Sequence, residues 1–344
     1  MKRALAALCA MILAGSAGIA LAAGFAPEPT RATRIDKFLI GRNQARFGEF
    51  EFAGGLTLNS ANRAFGGLSG IDFKPDGKSF VAISDTGYWF RGTLVREGGR
   101  LVGIADAEWA QMLNSKGKPL GVKRNADAEG LRLTTIDGHV AAYVSFEQTN
   151  DLRLYRANPD LSLARPEPVK LPRSATGLVK NSGLEMVALA PADGPLAGSP
   201  VLVSERSLDK KGNHRSWIVR GPLAGAFSVL RRDDFDVTDG AFLPNGDLLL
   251  LERRVIMPFG VGMRMRRIPG DTIRPGALVD GPIVMEADML NQIDNMEGLA
   301  VTTDEAGRTR VTLVSDDNLS VLQRTLILEF IWNGPGSGPG NAVN

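Results

Sequence analysis

The sequence predicts an all-β protein, a β-propeller built from four-stranded antiparallel blades. Three observations predict it: five segments share one hairpin pattern, their starts are 60, 56, 54 and 58 residues apart, and each is followed by enough chain for two further strands. A repeat of this length, made of strand-forming runs and tight turns, is typical of propellers and not of helical solenoids. We count five blades, with six as the alternative if one degenerate blade does not show the pattern.

The first 23 residues are typical of a secretory signal peptide. Met1-Lys2-Arg3 is positively charged, residues 4–19 are small and apolar, and Ala20-Leu21-Ala22 matches a small-x-small cleavage site. An apolar run this short that ends in a cleavage site is a signal and not a membrane span. We therefore expect cleavage of residues 1–23 and export to the periplasm or the cell exterior. No later stretch is apolar and uncharged for long enough to cross a bilayer.

Charge and composition exclude several function classes. The 344 residues include 40 Lys and Arg against 38 Asp and Glu, and removal of Lys2 and Arg3 leaves 38 of each. A net charge of zero argues against a general nucleic-acid or anionic-membrane binder. The single cysteine, Cys9, lies in the signal, so the mature chain has no disulfide or thiolate site. The two histidines, His139 and His214, fall in predicted solvated turns, which excludes a histidine-rich metal site.

Each repeat begins with an acidic or hydroxyl residue, the opener, and its second strand ends in an acid, the closer. Between them lie a short apolar strand, a turn such as Asp137-Gly138 or Asn245-Gly246, and a returning apolar strand. The openers are Ser69, Glu129, Glu185, Asp239 and Glu297, and the closers are Asp85, Glu147, Glu205, Glu252 and Asp316. Because the two ends of a hairpin lie together, we expect all ten on one side of the ring, which we call the acidic rim.

The remaining strands and the closure of the ring follow from the same pattern. In the first unit, residues 91–95 and 100–104 supply the third and fourth strands. The fifth unit ends about three strands in, after residues 325–331, whereas residues 47–52 form a strand before the first opener. Pairing that early strand with the last blade would close the ring. The expected organisation is a lead-in over 24–45, a propeller over 46–332 and a disordered tail over 333–344.

The acidic rim is the candidate functional site, because nine of its ten residues are carboxylates that must be neutralised. Arginines in the same loops, or a hard cation, can do this. Oxygen ligands without histidine or cysteine favour calcium, with magnesium as the alternative. We expect metal ligands at Glu129, Glu185, Glu297 and Asp316, water activation by Glu205 or Glu252, and substrate binding by Arg206 and Arg253. The alternative is that the carboxylates accept backbone N–H bonds and fix the loops.

Two weaker patterns carry structural expectations. Methionine and arginine alternate over residues 263–267 with the period of a strand, which places the arginines on a solvated face. The four tryptophans, Trp89, Trp109, Trp217 and Trp332, are expected to pack between blades.

Several short motifs resemble one known family. They are Gly67-Leu68-Ser69-Gly70 with Ala82-Ile83-Ser84-Asp85, Ala128-Glu129-Gly130-Leu131, Gly183-Leu184-Glu185, Leu250-Leu251-Glu252-Arg253, and Met296-Glu297-Gly298-Leu299 with Ser315-Asp316-Asp317-Asn318. Over residues 62–332 the chain is similar to the "esterase-like activity of phytase" family. The resemblance implies a phytase-like β-propeller, exported, with phosphoester or ester hydrolysis.

The leading hypothesis is a calcium-assisted hydrolase that acts on a phosphoester or related ester at the acidic rim. One alternative is a non-catalytic exported propeller that binds a ligand or a protein partner. Another is a lactone hydrolase of the six-bladed kind, with one metal at the centre of the channel. The expected partner is a small anionic substrate or ligand, with no nucleic acid, and we expect a monomer.

Overall fold

A computed structural model describes residues 24–121, 123–157, 160–180, 182–256 and 260–337. The expected signal peptide (1–23) and residues 338–344 of the expected tail lie outside the described residues. Within these ranges the strands form five sheets arranged in a ring. The prediction of a five-bladed propeller is confirmed, and the six-bladed alternative is not observed in this part of the chain. In the same ranges, no helix has the length and apolar character needed to cross a membrane.

Four strands precede the first blade. They are β1 (Ala26–Pro27), β2 (Thr30–Ile35), β3 (Arg46–Phe47) and β4 (Phe50–Ser60). The first blade contains β5 (Leu68–Phe73), β6 (Ser79–Ser84), β7 (Tyr88–Glu97) and β8 (Arg100–Gln111). The third and fourth strands expected at 91–95 and 100–104 are thus present and longer than expected.

A one-turn helix, α1 (Lys123–Ala126), leads into the second blade. This blade contains β9 (Ala128–Ile136), β10 (His139–Phe146), β11 (Asp151–Arg156) and β12 (Glu167–Val169). The β9–β10 turn has positive φ at both Asp137 (52°) and Gly138 (77°). Two such residues form the tight hairpin turn that matches the twist of the strands, as the Asp-Gly pair predicts. A 3₁₀ turn (Leu161–Leu163) lies between β11 and β12.

The third and fourth blades follow in sequence order and precede the last hairpin. The third contains β13 (Leu184–Leu189), β14 (Pro200–Leu208), β15 (His214–Ile218) and β16 (Gly225–Val229). The fourth contains β17 (Asp236–Phe242), β18 (Leu248–Ile256), β19 (Gly260–Ile268) and, after a 3₁₀ turn (Gly270–Thr272) and β20 (Leu278–Val279), β21 (Ile283–Ala287). β20 pairs in parallel with β16 and so extends the third blade.

The fifth blade closes the ring with strands from both ends of the chain. Its inner strands are β22 (Asn295–Thr303), β23 (Thr309–Asp316) and β24 (Thr325–Trp332). β24 pairs with β4 from Thr325 opposite Leu58 to Trp332 opposite Phe50, which confirms the predicted closure. Segment 24–45, expected as a lead-in, also contributes strands: β2 pairs with β4, and β1 pairs with β8. This segment therefore belongs to the propeller sheets.

The core consists of five apolar layers, each between neighbouring blades of the described chain. Leu248 and Leu250 face the third blade, whereas Leu249 and Leu251 face the fifth. Successive side chains of a strand point to opposite faces, so a blade covered on both faces needs this uninterrupted apolar run. All four tryptophans are buried in these layers, as expected. The innermost strands β5, β9, β13, β17 and β22 contact one another around the channel.

Candidate functional site

The inner hairpin of each blade carries a one-residue shift in register at the same level of the channel. The extra residue of a β-bulge is unpaired, and its side chain is redirected. In three blades this residue is a glutamate: Glu129, Glu185 or Glu297. In the first blade it is Ser69, whose hydroxyl donates to the carbonyl oxygen of Ala128 at 2.5 Å.

These bulges and the ends of the second strands surround a pocket of about 480 Å³. We call it the acidic pocket. Its lining within the described residues combines carboxylates (Asp85, Glu129, Glu147, Glu185, Glu205, Glu297 and Asp316), cations (Lys123, Arg206 and Arg253) and the further residues Val255, Val261, Asn295, Asn318 and Gln323. Of the eight predicted site residues, the structure brings seven together here, and Glu252 lies elsewhere.

The fourth blade differs from the expected pattern by one residue. Glu252 pairs with Val237 and Arg253 with Asp236, in the register of Ser315 with Met296 and Asp316 with Asn295 in the fifth blade. The residue at the bulge is thus Thr238, and Arg253 holds the position at which the other blades place an acid. Asp239 and Glu252, expected on the acidic rim, are each one residue off the rim position.

Glu252 is fully buried within the fourth blade. Its two carboxylate oxygens accept hydrogen bonds from Arg264 at 2.6 Å and from Arg266 at 2.5 Å. Both arginines are fully buried, so the expectation that residues 263–267 present arginines to solvent is wrong. A carboxylate enclosed by two guanidinium groups inside a sheet has no open access to a substrate, and its geometry is that of a structural ion triad.

Arg253 is the main counter-charge of the acidic pocket. Its guanidinium donates to Glu297, to Oδ1 of Asn295 at 2.5 Å and to Oε1 of Glu205 at 3.2 Å. Lys123 is the second cation, with its Nζ 2.5 Å from Oδ2 of Asp85. Among the described residues, neither cation forms an ion pair with Glu129, Glu147 or Glu185.

Two groups of carboxylates in this cluster are close enough together to hold a cation. Asp127, Glu129 and Glu147 form one group, and Glu147, Glu185 and Glu205 form the other, with ligand oxygens within 4.8 Å of one another in each. Glu129 and Glu185, predicted as ligands, therefore belong to these groups, whereas Glu297 and Asp316 do not. Asp127 and Glu147, the other members of the first group, are not among the ligands predicted from the sequence.

Two buried carboxylate oxygens in the described part of the cluster lack a hydrogen bond. Oδ1 of Asp127 and Oδ1 of Asp85 have no hydrogen-bond partner among the described residues, although Lys123 forms an ion pair with both carboxylates. A buried carboxylate oxygen is normally hydrogen-bonded or bound to an ion. The oxygen-only donor set, without sulfur or imidazole, matches the ligands that calcium and magnesium prefer.

Crowding and burial change the acidity of these carboxyls. Burial, followed by the charge of Glu205, raises the pKa of Glu147 to about 7. Burial, with Asp85 and Glu297 adding to it, raises the pKa of Asp316 to about 8. Burial likewise raises the pKa of Glu297 to about 7, although Arg253 opposes the shift.

Glu129 and Glu185 show the same behaviour. Burial, followed by the charges of neighbouring carboxylates, raises the pKa of each well above its usual range. Without a cation the pocket therefore retains protons near neutral pH.

The central channel is closed below the acidic pocket by Arg132. Its guanidinium donates to Oδ1 of Asp239 at 3.0 Å and to the carbonyl oxygens of Gly240 at 2.5 Å and Leu299 at 2.8 Å. The other oxygen of Asp239 accepts the N–H of Leu299 at 2.7 Å. Arg132 and Asp239 thus satisfy backbone groups at the free edges of the inner strands, across the channel.

His214 is not in a solvated turn, contrary to the sequence expectation. It begins β15, is fully buried, and its Nδ1 lies 2.5 Å from the carbonyl oxygen of Glu205. Burial lowers its pKa, so the neutral ring donates from Nδ1 and fixes the backbone beneath Glu205. The other histidine, His139, is exposed at the start of β10, close to the expected turn.

In a comparison with protein families, residues 63–319 match the family described as "Phytase-like: Esterase-like activity of phytase". The chain belongs to this phytase-like family. The match covers all five inner hairpins, and therefore all the carboxylates of the acidic pocket. Membership in the family and the propeller architecture agree with the resemblance noted in the sequence.

Other comparisons add little to this assignment. No curated protein matches the chain. One similar solved structure is a putative oxidoreductase (glucose dehydrogenase) from Thermus thermophilus, with 12% identity and a TM-score of 0.34 over 76% of this chain and 97% of that one. Another is a humanized mutant of the Chaetomium thermophilum Polycomb Repressive Complex 2 bound to the inhibitor GSK126, with 11% identity and a TM-score of 0.34 over 79% and 55%.

Proposed function

We propose that this phytase-like propeller is an exported, calcium-assisted hydrolase of phosphoesters or related esters, acting in the acidic pocket. The observation that carries the proposal is the position of Glu147, which belongs to both carboxylate groups. The two groups thus form one continuous set of oxygen donors, and four of its five carboxylates line the pocket. The signal-like first 23 residues support export.

The donor set suits a hard cation, and we assign calcium. Each group offers several carboxylate oxygens, and calcium accepts six to eight oxygen ligands in flexible geometry, whereas magnesium demands a near-ideal octahedron. Asp127, Glu129 and Glu147 would hold one ion, and Glu185 and Glu205 with Glu147 a second. A bound calcium ion would supply a Lewis acid that polarises the ester and stabilises developing negative charge.

Glu297 is the residue we assign to the attacking water. It lines the pocket outside both carboxylate groups, and its carboxylate is held by Arg253 and by the side-chain amide of Asn295 at 2.8 Å. A carboxylate fixed in this way can accept a hydrogen bond from a water molecule and orient it toward the substrate. This assignment replaces Glu252, which is enclosed in the ion triad of the fourth blade.

Arg206 is the residue we assign to the anionic part of the substrate. Its side chain is about half exposed, at 53%, and lines the pocket, while its Nε donates to Asp236 at 2.6 Å. The contact with Asp236 holds one edge of the guanidinium and leaves the other nitrogens available. A planar guanidinium presented in this way suits phosphate or carboxylate oxygens.

The first experiment measures calcium binding and turnover of a simple phosphoester with the purified mature protein. We expect calcium to raise the melting temperature and a chelator to abolish turnover. Glu147→Gln should weaken calcium binding most, because it removes a charged ligand from both groups. Glu97→Gln, at the exposed end of β7 on the opposite side of the ring, is the matched control and should change neither property.

A second variant separates binding from chemistry. Glu297→Gln should keep calcium binding and reduce turnover by about 10²–10⁴-fold, the usual contribution of a group that positions or deprotonates the nucleophile. Calcium binding without turnover in the wild type would instead support a non-catalytic propeller that binds a ligand. No effect of calcium or chelator on melting or turnover would remove the basis for the metal-assisted hydrolase.

A further inference from the structure

One wall of the acidic pocket is apolar. Val255 and Val261 line the pocket and face each other as paired residues of β18 and β19. Val255 is exposed by 52% and Val261 is partly exposed. Paired residues of neighbouring strands project from the same face of the sheet, so the two side chains form one continuous apolar surface.

The position of this surface follows from the strand alternation. Leu251, Arg253 and Val255 lie on one face of β18, since side chains two residues apart point the same way. Leu251 is buried in the layer between the fourth and fifth blades, and Arg253 reaches Glu297 in the fifth blade. Val255 therefore follows Arg253 outward from the core along the same face, toward the fifth blade.

The rest of the lining is polar or charged. The loop between β23 and β24, for example, contributes Asn318 and Gln323. An exposed apolar surface beside convergent polar and charged groups is typical of a site that binds a ligand with one polar and one apolar part.

We propose that the substrate is a monoanionic or dianionic ester with an apolar group, alkyl or aryl, attached to the ester oxygen. This inference rests on the proposed function and adds its substrate class. Arg206 and a cation held by the two carboxylate groups would bind the anionic end of the ester, and the apolar group would lie against Val255 and Val261. Substrates with many phosphate groups bind poorly, because further anionic groups meet the carboxylates Asp85, Glu297 and Asp316.

The test compares methyl phosphate with phenyl phosphate in the presence of calcium. In the wild type, kcat/KM should be higher for phenyl phosphate. In the double variant Val255→Thr/Val261→Thr, which keeps the branched shape and adds hydroxyls, the phenyl-to-methyl ratio should fall by about fivefold to tenfold, the usual effect of losing a small apolar contact. Comparing this ratio between proteins cancels the different reactivity of the two leaving groups.

The matched control is Val95→Thr, which changes an exposed strand valine (37%) on β7 of the first blade, outside the pocket lining. It should leave the ratio unchanged. An unchanged ratio in the double variant, with turnover retained, overturns the substrate class and leaves the hydrolase proposal standing.

Failure of the hydrolase itself is distinguished by binding. If no phosphoester is hydrolysed, calorimetry with calcium, phenylphosphonate and methylphosphonate still decides the inference. Tighter binding of phenylphosphonate that is lost in Val255→Thr/Val261→Thr supports an apolar subsite. Equal binding of the two phosphonates, or a preference that the double variant retains, overturns it.

Discussion

Arg132 and Asp239 are hydrogen-bonded to each other inside the channel, with Nη2 of the arginine 3.0 Å from Oδ1 of the aspartate. Both side chains are almost completely buried. The arginine also donates to carbonyl oxygens of the first, fourth and fifth blades, at Ile71, Gly240 and Leu299. The side chain of Arg132, from the second blade, therefore connects the first, fourth and fifth blades at the axis of the ring.

Removal of this arginine should destabilise the fold strongly. Arg132→Met leaves Asp239 charged and buried without its partner, which typically costs about 3–5 kcal/mol. Urea unfolding monitored by circular dichroism measures the loss. Arg156→Met removes a half-exposed pair with Glu167 and should cost about 0–1 kcal/mol. Equal effects of the two substitutions would contradict a central role for Arg132.

The calcium-free protein should lose stability as the pH rises from about 6 to 8. Glu147 and Glu297 have pKa values raised to about 7, and Asp316 to about 8. In this window the folded state binds more protons than the unfolded state, so the free energy of unfolding falls with pH, by roughly 1.4 kcal/mol per pH unit for each excess proton. Melting temperatures in chelator at pH 6 and pH 8 test this.

Calcium provides the control for the pH experiment. A bound divalent ion favours the ionised carboxylates, so saturating calcium should reduce or reverse the pH dependence. A chelated protein that melts at the same temperature at both pH values, or higher at pH 8, would show that the carboxyls titrate normally.

The repeat pattern was sufficient to predict the blades, because its signals are local. Turn pairs such as Asp137-Gly138 require positive φ, and alternating apolar runs require a sheet covered on both faces. The closing strand was also predictable, since an unfinished last blade and an early spare strand must pair. Residues 30–35 were missed as a sheet strand because most of them are polar and partly or fully exposed.

The one-residue error in the fourth blade has a different cause. The acidic repeat pattern selects Asp239 and Glu252, whereas the register follows the backbone bulge, which places Thr238 and Arg253 at the rim. A glycine inside a strand signals a bulge, but Gly240 directly follows Asp239 and so favours the same wrong register. Asp127 is not among the predicted ligands, although it directly precedes β9 and its carbonyl oxygen accepts the N–H of Glu147 at the same end of the hairpin. An acid two residues before an opener is the signal that could have found it.

Glu252→Gln tests the structural role assigned to this residue. Removing its charge leaves Arg264 and Arg266 buried beside a neutral side chain, although Asp233 and Asp280 still contact them. We expect a stability loss of about 2–4 kcal/mol, somewhat below that of a fully broken buried pair. Calcium affinity and kcat at a temperature where the variant is folded should match the wild type. A variant with normal melting and lost turnover would restore Glu252 to the catalytic site.

Lys123 should weaken calcium binding, because it occupies part of the same electrostatic site. Its Nζ lies 2.5 Å from Oδ2 of Asp85 and 3.7 Å from Oδ1 of Asp127, a member of the first carboxylate group. Lys123→Gln removes a positive charge beside the ion and should increase calcium affinity by about tenfold at low salt. Calorimetric titration with calcium at pH 8 measures the change, and Lys118→Gln is the control.

Salt provides a second check on the same repulsion. The Debye length in 0.5 M salt is roughly half that in 0.1 M salt, so the increase in calcium affinity caused by Lys123→Gln should be smaller in 0.5 M salt. An affinity that is unchanged or lower in Lys123→Gln would show that calcium does not bind beside Asp127.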